Sequence, residues 1–265
     1  MKARADGTLE VNFAVGQTHG AGQFGLRGDS YDGGITWSGF TTVPPSAPNS
    51  SIVKPAGQTS YGTSSAFTNA AGQTSWNNTR YFSSNGGATW GFDTANYNSN
   101  GVTYVSAYNN HGDIVQSGST LFTTVYCQRQ GVSTLENVLF ASQNNGSSWV
   151  RRSTIAAYTP DPKVGMASEG PSESSVIKLN NGNMLSVFRT GQPFPSTDIK
   201  LTTQPLMWSM SADEGYTWTT PKTLGVSGVY PLLRKMDDGA VALTFGRYGA
   251  KVMFCLLYTS PSPRD

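Results

Sequence analysis

One eight-residue pattern recurs four times along this chain, and it leaves few folds open. It reads SYDGGITW from Ser30 to Trp37, SSNGGATW from Ser83 to Trp90, SQNNGSSW from Ser142 to Trp149, and SADEGYTW from Ser211 to Trp218. The consensus is S-x-D/N-x-G-x-T/S-W, and successive tryptophans stand 53, 59 and 69 residues apart. Each position has a physical role. The Asp or Asn (Asp32, Asn85, Asn144, Asp213) can accept hydrogen bonds from amides of its own turn. The Gly supplies a backbone conformation that other residues resist. The Trp (Trp37, Trp90, Trp149, Trp218) offers a large apolar surface to wedge against neighbouring strands. A repeat of this length, carried on turns, points to a structural unit used several times over.

Composition narrows the reading further. The 265 residues include 30 Gly, 14 Pro and six Trp among many Ser, Thr and Asn, as expected of short strands joined by tight turns in an all-β fold. Only 13% of residues are charged and the net charge is +2, so electrostatics gives no reason to expect a nucleic acid or an anionic membrane as partner. No apolar run approaches the ~18 residues of a spanning helix. Two cysteines make no disulfide framework, and no Cys/His spacing suggests zinc, so neither metal nor cofactor is expected.

The fourfold box resembles the Asp-box, or BNR repeat, of the sialidase superfamily. That resemblance implies a six-bladed β-propeller with each box between the third and fourth strands of a blade. The segments fit. Blade four reads as strands 174–179, 184–188 and 205–210 around the turn Asn180-Asn181-Gly182. Blade three reads as 112–115, 121–126 and 138–142. Blade five reads as 229–234, 240–245 and 251–254, around Asp237-Asp238-Gly239. Blade one begins near Asp6-Gly7, and the Gly/Ser/Thr-rich stretch 46–65 of blade two reads as a long loop. The expectation is an incomplete propeller of about four and a half blades over 1–254. Residues 255–265 resemble the in-frame translation of a sequencing adapter. An open ring of this kind is expected to fold poorly.

The resemblance also implies a chemistry: an Arg triad for a substrate carboxylate, an Asp general acid, and a Tyr nucleophile whose proton a Glu removes. Arg offers a bidentate fork to a carboxylate. A neutral Tyr approaches an anionic sugar without repulsion. The segment from Ser172 to Thr190 looks like the family element in which Glu173 partners the Tyr and Arg189, sixteen positions on, joins the triad. A three-residue turn at 180–182 would pair Leu179 with Asn183 and set Glu173 opposite Arg189. A two-residue turn would send Glu173 to the other face. His111, Tyr126 and Arg247 lie in matching zones of other blades and join Arg189 as candidate substrate-binding residues. Arg247 stands in a run from Gly228 that resembles a Gly-Val-x-Pro…Gly-Arg-x-Gly pattern of bacterial sialidase-like proteins. The sequence also departs from the family. Arg4 and Arg27 lack the motif context of a first-blade Arg, Asp29 and Asp32 belong to a box region, and the nucleophilic Tyr is expected beyond Phe254.

The resulting expectation is an exo-acting glycosidase that releases a terminal acidic sugar, sialic acid, from a glycan. The alternatives are an enzyme for another sugar acid, such as a uronic acid, or a non-catalytic Asp-box propeller that binds carbohydrate or protein. Work on glycans favours the periplasm or the cell exterior, although Met1–Gly7 is followed by no apolar signal core.

Overall fold

The computed structural model describes residues 2–3, 6–15, 24–43, 48, 50–64, 66–109, 112–191, 205–236, 239–246 and 251–255. Every helix or strand element among them is a strand. Blade one comprises β1 (Lys2–Ala3), β2 (Leu9–Val15), β3 (Phe24–Ser30) and β4 (Thr41–Val43), antiparallel in chain order. Blade two follows with β5 (Ser50–Ile52), β6 (Ser60–Ser64), β7 (Ala66–Gln73), β8 (Ser75–Ser83) and β9 (Gly91–Asn98). Blade three holds β10 (Tyr104–Asn109), β11 (Gly112–Asp113), β12 (Val115–Ser117), β13 (Thr120–Arg129), β14 (Leu135–Ser142) and β15 (Ser148–Ala157). Blade four is β16 (Pro171–Lys178), β17 (Met184–Thr190), β18 (Pro205–Ser211) and β19 (Lys222–Ser227). The fifth shows three strands, β20 (Val229–Lys235), β21 (Val241–Gly246) and β22 (Lys251–Cys255).

Two expectations are corrected. The stretch 46–65 is not one long loop, because β5 and β6 lie within it and pair with each other. Its small polar residues pack where larger ones would crowd: Ser51, Ser60 and Thr63 are buried, and Thr63 Oγ1 lies 2.7 Å from the Tyr97 hydroxyl. Blade three's inner strand is not a single run at 112–115. β10 and β12 both pair with β13, and β11 between them turns aside to pair parallel with β5. Through that link, the β7–β10 pairing and the parallel β9–β15 pairing, blades two and three share one eleven-stranded sheet.

All four boxes fold alike. Each begins at the last residue of a blade's third strand, β3, β8, β14 or β18, and leads to the fourth. In each, the Ser hydroxyl donates to the Asp or Asn Oδ1 at 2.8–3.0 Å. That same Ser oxygen accepts the amide of the box Gly at 2.8–3.0 Å. The Oδ1 also accepts the amide of the Thr or Ser four residues on. Closing this ring requires two consecutive left-handed residues, as at Asn145 (φ 58°) and Gly146 (φ 81°). That explains the Gly at the second of them.

In two of the boxes the turn delivers its Trp to the neighbouring blade. Trp149 is buried and stacks on Tyr97 of β9 at 5.9 Å. Trp218 donates its indole N–H to Ser153 of β15 at 3.1 Å. The apolar core accordingly lies between blades. One cluster joins blades two and three around Trp76, Tyr97, Phe140 and Trp149. Others join three to four around Phe122, Leu139, Val176 and Met184, and four to five around Val187, Leu206, Leu233 and Phe245.

Candidate active site

The site is built on the β16–β17 hairpin. Its turn is the three-residue one: Leu179 N–H donates to the Asn183 carbonyl at 2.8 Å, and Lys178 stands opposite Met184. The register holds as far as Ser174 opposite Phe188. It then shifts by one, so that Ser172 faces Arg189 and Glu173 is the extra residue of a β-bulge. Bulges re-aim side chains. Here the bulged Glu173 takes φ of 26°, a strained value for a non-glycine residue.

Neighbouring blades hold the bulge in place. From β14, fully buried Asn137 donates to the Ser172 carbonyl and accepts from the Ser174 hydroxyl, both at 3.2 Å. From β20, the Tyr230 N–H donates to Glu173 Oε2 at 2.9 Å, and Tyr230 itself has φ of 52°. Arg189 Nη1 donates to Glu173 Oε1 at 3.2 Å. Both Glu173 carboxylate oxygens are therefore engaged, which fixes the orientation of the group.

Arg189 is shared between two carboxylates. Its Nη2 donates to Glu169 at 2.9 and 3.2 Å. Its Nε is buried without a hydrogen-bond partner. The Arg189 side chain is 12% exposed, against 21% for Glu169 and 16% for Glu173. Glu169 is anchored by its own backbone: its N–H donates to the Gly191 carbonyl at 2.9 Å, and its carbonyl accepts from Leu135 N–H at 2.8 Å. Gly191 leaves room for the pair, because a β-carbon there would run into the Glu169 carboxylate.

Two phenols complete the group. Tyr126 of β13 stacks on Tyr108 of β10 at 5.3 Å, and Tyr108 shares a 2.9 Å hydrogen bond with Thr68 of β7. Burial pushes the Tyr126 phenol well above its ordinary range. Nearby Tyr230 and Glu173 push the same way, and Arg189 pulls it back. Tyr230, although 47% exposed, is likewise raised, by partial loss of solvent and then by Glu173. Both phenols therefore stay protonated at neutral pH, as donors poised within the field of a carboxylate. Among the described residues, no cluster of three or more His, Cys, Asp or Glu could hold a metal ion.

The structure thus brings together Glu173, Arg189 and Tyr126 from three separate strands. His111, Arg247 and Arg4 lie outside the described residues. Arg27 is taken up on β3 by Asp29, with two 3.0 Å hydrogen bonds, and by Glu10 at 3.5 Å. Asp32 is occupied by its box. Glu169, Tyr230 and Tyr108 were not anticipated. Tyr230 stands at the open position of the Gly-Val-x-Pro run. Glu169 precedes Gly170-Pro171, where a strand can begin but where nothing local marks the carboxylate as a partner for Arg189.

Several solved structures resemble this one. A protein of unknown function from Dyadobacter fermentans superposes with a TM-score of 0.68 at 18% identity, covering 95% of this chain and 76% of that one. An α-L-arabinanase of Penicillium chrysogenum, complexed with arabinobiose, gives 0.57 at 17% identity, with coverage of 95% and 76%. The NanB sialidase of Streptococcus pneumoniae gives 0.50 at 15% identity, where this chain matches 33% of the larger protein. The fold is an incomplete β-propeller. At these identities the likeness carries the fold and no more. No protein-family model matches the chain, and no curated protein matches it by sequence.

Proposed function

We propose that this propeller is an exo-acting glycoside hydrolase, with Glu173 as the ionisable group at its centre. The observation that carries the reading is the bulge: a strained carboxylate, gripped by Arg189 and the Tyr230 amide, set beside two protonated phenols. Strain of this kind persists only where surrounding structure imposes it. The reading is also supported by the glycosidases among the structures that share the fold.

In the sialidase-type form of the reading, a phenol oxygen attacks the anomeric carbon, the glycosidic bond breaks as the leaving oxygen takes a proton from water, and a further water then releases the sugar from the phenol. Glu173 takes up the phenolic proton. Tyr126 and Tyr230 are the described phenols within the field of Glu173. Arg189, with Arg247, would receive the carboxylate of a terminal sialic or uronic acid. A specific observation favours a second reading, a neutral glycoside such as an arabinoside. Arg189 already meets two carboxylates, one negative charge in excess, so a third carboxylate would enter against repulsion.

The deciding experiment is turnover of chromogenic sialoside, glucuronide and arabinoside substrates by the full chain and by Glu173→Gln. Loss of a general base lowers kcat by about 10²- to 10⁴-fold. Which substrate is cleaved separates the two readings. Full activity in Glu173→Gln, or no turnover of any glycoside, would leave a carbohydrate- or protein-binding propeller.

A further inference from the structure

At the opposite end of the blades from Glu173 lies a hollow of about 460 Å³. It is bordered by the blade-three box, the start of β15 and the blade-four box residue Tyr216. The seven residues of β17 separate the two ends, roughly 20 Å at the usual rise of a strand.

Two adjacent arginines line this hollow, an arrangement that a regular strand would not give. Neighbouring side chains on a strand point to opposite faces. Between β14 and β15, however, Phe140 pairs with Arg151 while Leu139 pairs with Ser153, so Arg152 is the extra residue of a second bulge. That bulge lets both arginines line the same hollow. Arg152 lies 5.0 Å from the Phe122 ring and 4.2 Å from the Tyr216 ring, and it makes no side-chain hydrogen bond among the described residues. Arg151 is fixed by the Tyr104 hydroxyl at 3.1 Å and Thr154 at 2.6 Å, and its Nη1 makes no hydrogen bond among the described residues. Gln143 is exposed and also unbonded among the described residues. Among the described residues, no Asp or Glu lines the hollow. Of the acids near the two arginines, Glu214 is already bonded to Ser117 and Lys178, and Glu136, on the far side of the Tyr104 hydroxyl, is bonded to Tyr104 and Arg129.

We propose that this hollow is a second binding site, for an acidic oligosaccharide. The surplus of fixed, unspent donors calls for an anionic group, and a planar guanidinium suits a carboxylate. The size and the mixed lining, polar residues alongside Ala141, Val150 and Tyr216, call for more than a bare anion. The volume falls in the range of small-molecule sites. Val150, 48% exposed, and the side of the Tyr216 ring that Arg152 does not cover offer apolar surface for a sugar face. The site stands independently of hydrolysis at Glu173. In a glycosidase it would hold a charged chain while the far end is trimmed.

Titration calorimetry of the full chain with a short oligogalacturonate tests this. Its methyl ester of equal length and inorganic sulfate serve as the comparison probes. The acid is expected to bind at least tenfold tighter than either. Gln143→Glu, which alters an exposed side chain, and Arg152→Ala should each weaken binding at least tenfold, while Glu173→Gln should leave it unchanged. The proposal is overturned if the acid does not bind, if the ester or sulfate binds as well, if Gln143→Glu binds like the parent, or if Glu173→Gln abolishes binding.

Discussion

Arg189 shows how much one side chain can hold together. Its guanidinium joins a loop carboxylate, Glu169, to a bulged strand carboxylate, Glu173, and all three are mostly shielded from water. Removing the cation would leave two shielded negative charges facing each other. Breaking a buried pair in this way costs about 3–5 kcal/mol, more than the pair itself contributes. Arg189→Met is therefore expected to lower stability by about 3 kcal/mol or more. Adding Glu169→Gln should recover at least about 1 kcal/mol, since residues in one ion-pair network couple. Denaturant midpoints for the two single variants and the double variant would check this. Strictly additive effects would mean that Glu169 and Arg189 do not act as a unit. The bulge at Glu173 was not legible in the sequence for a related reason. It depends on Asn137 from β14 and on the Tyr230 amide from β20, partners 36 and 57 residues away in the chain.

At the scale of the element, the boxes offer a comparison within one chain. Asp32 and Asp213 make the same ring of hydrogen bonds as Asn85 and Asn144, but only the aspartates titrate. Hydrogen bonds from Thr36 and Thr217, side chain first and then backbone, hold the two carboxyls at about 2 rather than the usual 3.8. A depressed folded-state value means that the contribution is complete above about pH 4 and is lost as pH falls toward 2. Replacing both residues, Asp32→Asn with Asp213→Asn, should flatten the acid limb of the stability curve between pH 4 and 2. The neutral limb should keep its shape, because Asn satisfies the same turn. Parallel acid limbs for parent and variant would show that these turns open before the carboxyls titrate. The boxes were legible because the pattern is local and repeated. The hairpin at 180–182 was legible too, but its Asn-Asn-Gly residues left a two-residue and a three-residue turn open until the structure showed the latter. β5 and β6 were not, because their Ser, Thr and Gly residues look like loop until Tyr97 and the neighbouring blade bury them.

At the scale of the molecule, the contacts among the described residues differ from one pair of blades to the next. The clusters of buried apolar side chains link blade two to three, three to four and four to five. Among the described residues, none of those clusters draws a member from β1–β4. Blades two and three also share a continuous sheet, whereas blade one forms a sheet of its own. Stability in a repeat architecture is close to a sum of unit terms and neighbour interfaces. A blade with little interface opens at a lower free energy than the rest. Native-state hydrogen exchange should therefore find the slowest amides on β13, β14 and β17, at the centre of the linked blades. The β2–β3 amides should exchange through a separate opening of lower free energy and smaller denaturant dependence. Uniform protection across β2, β13 and β17 would instead make the molecule one cooperative unit. The apolar contacts between blades would then count for less than the strand pairing within them.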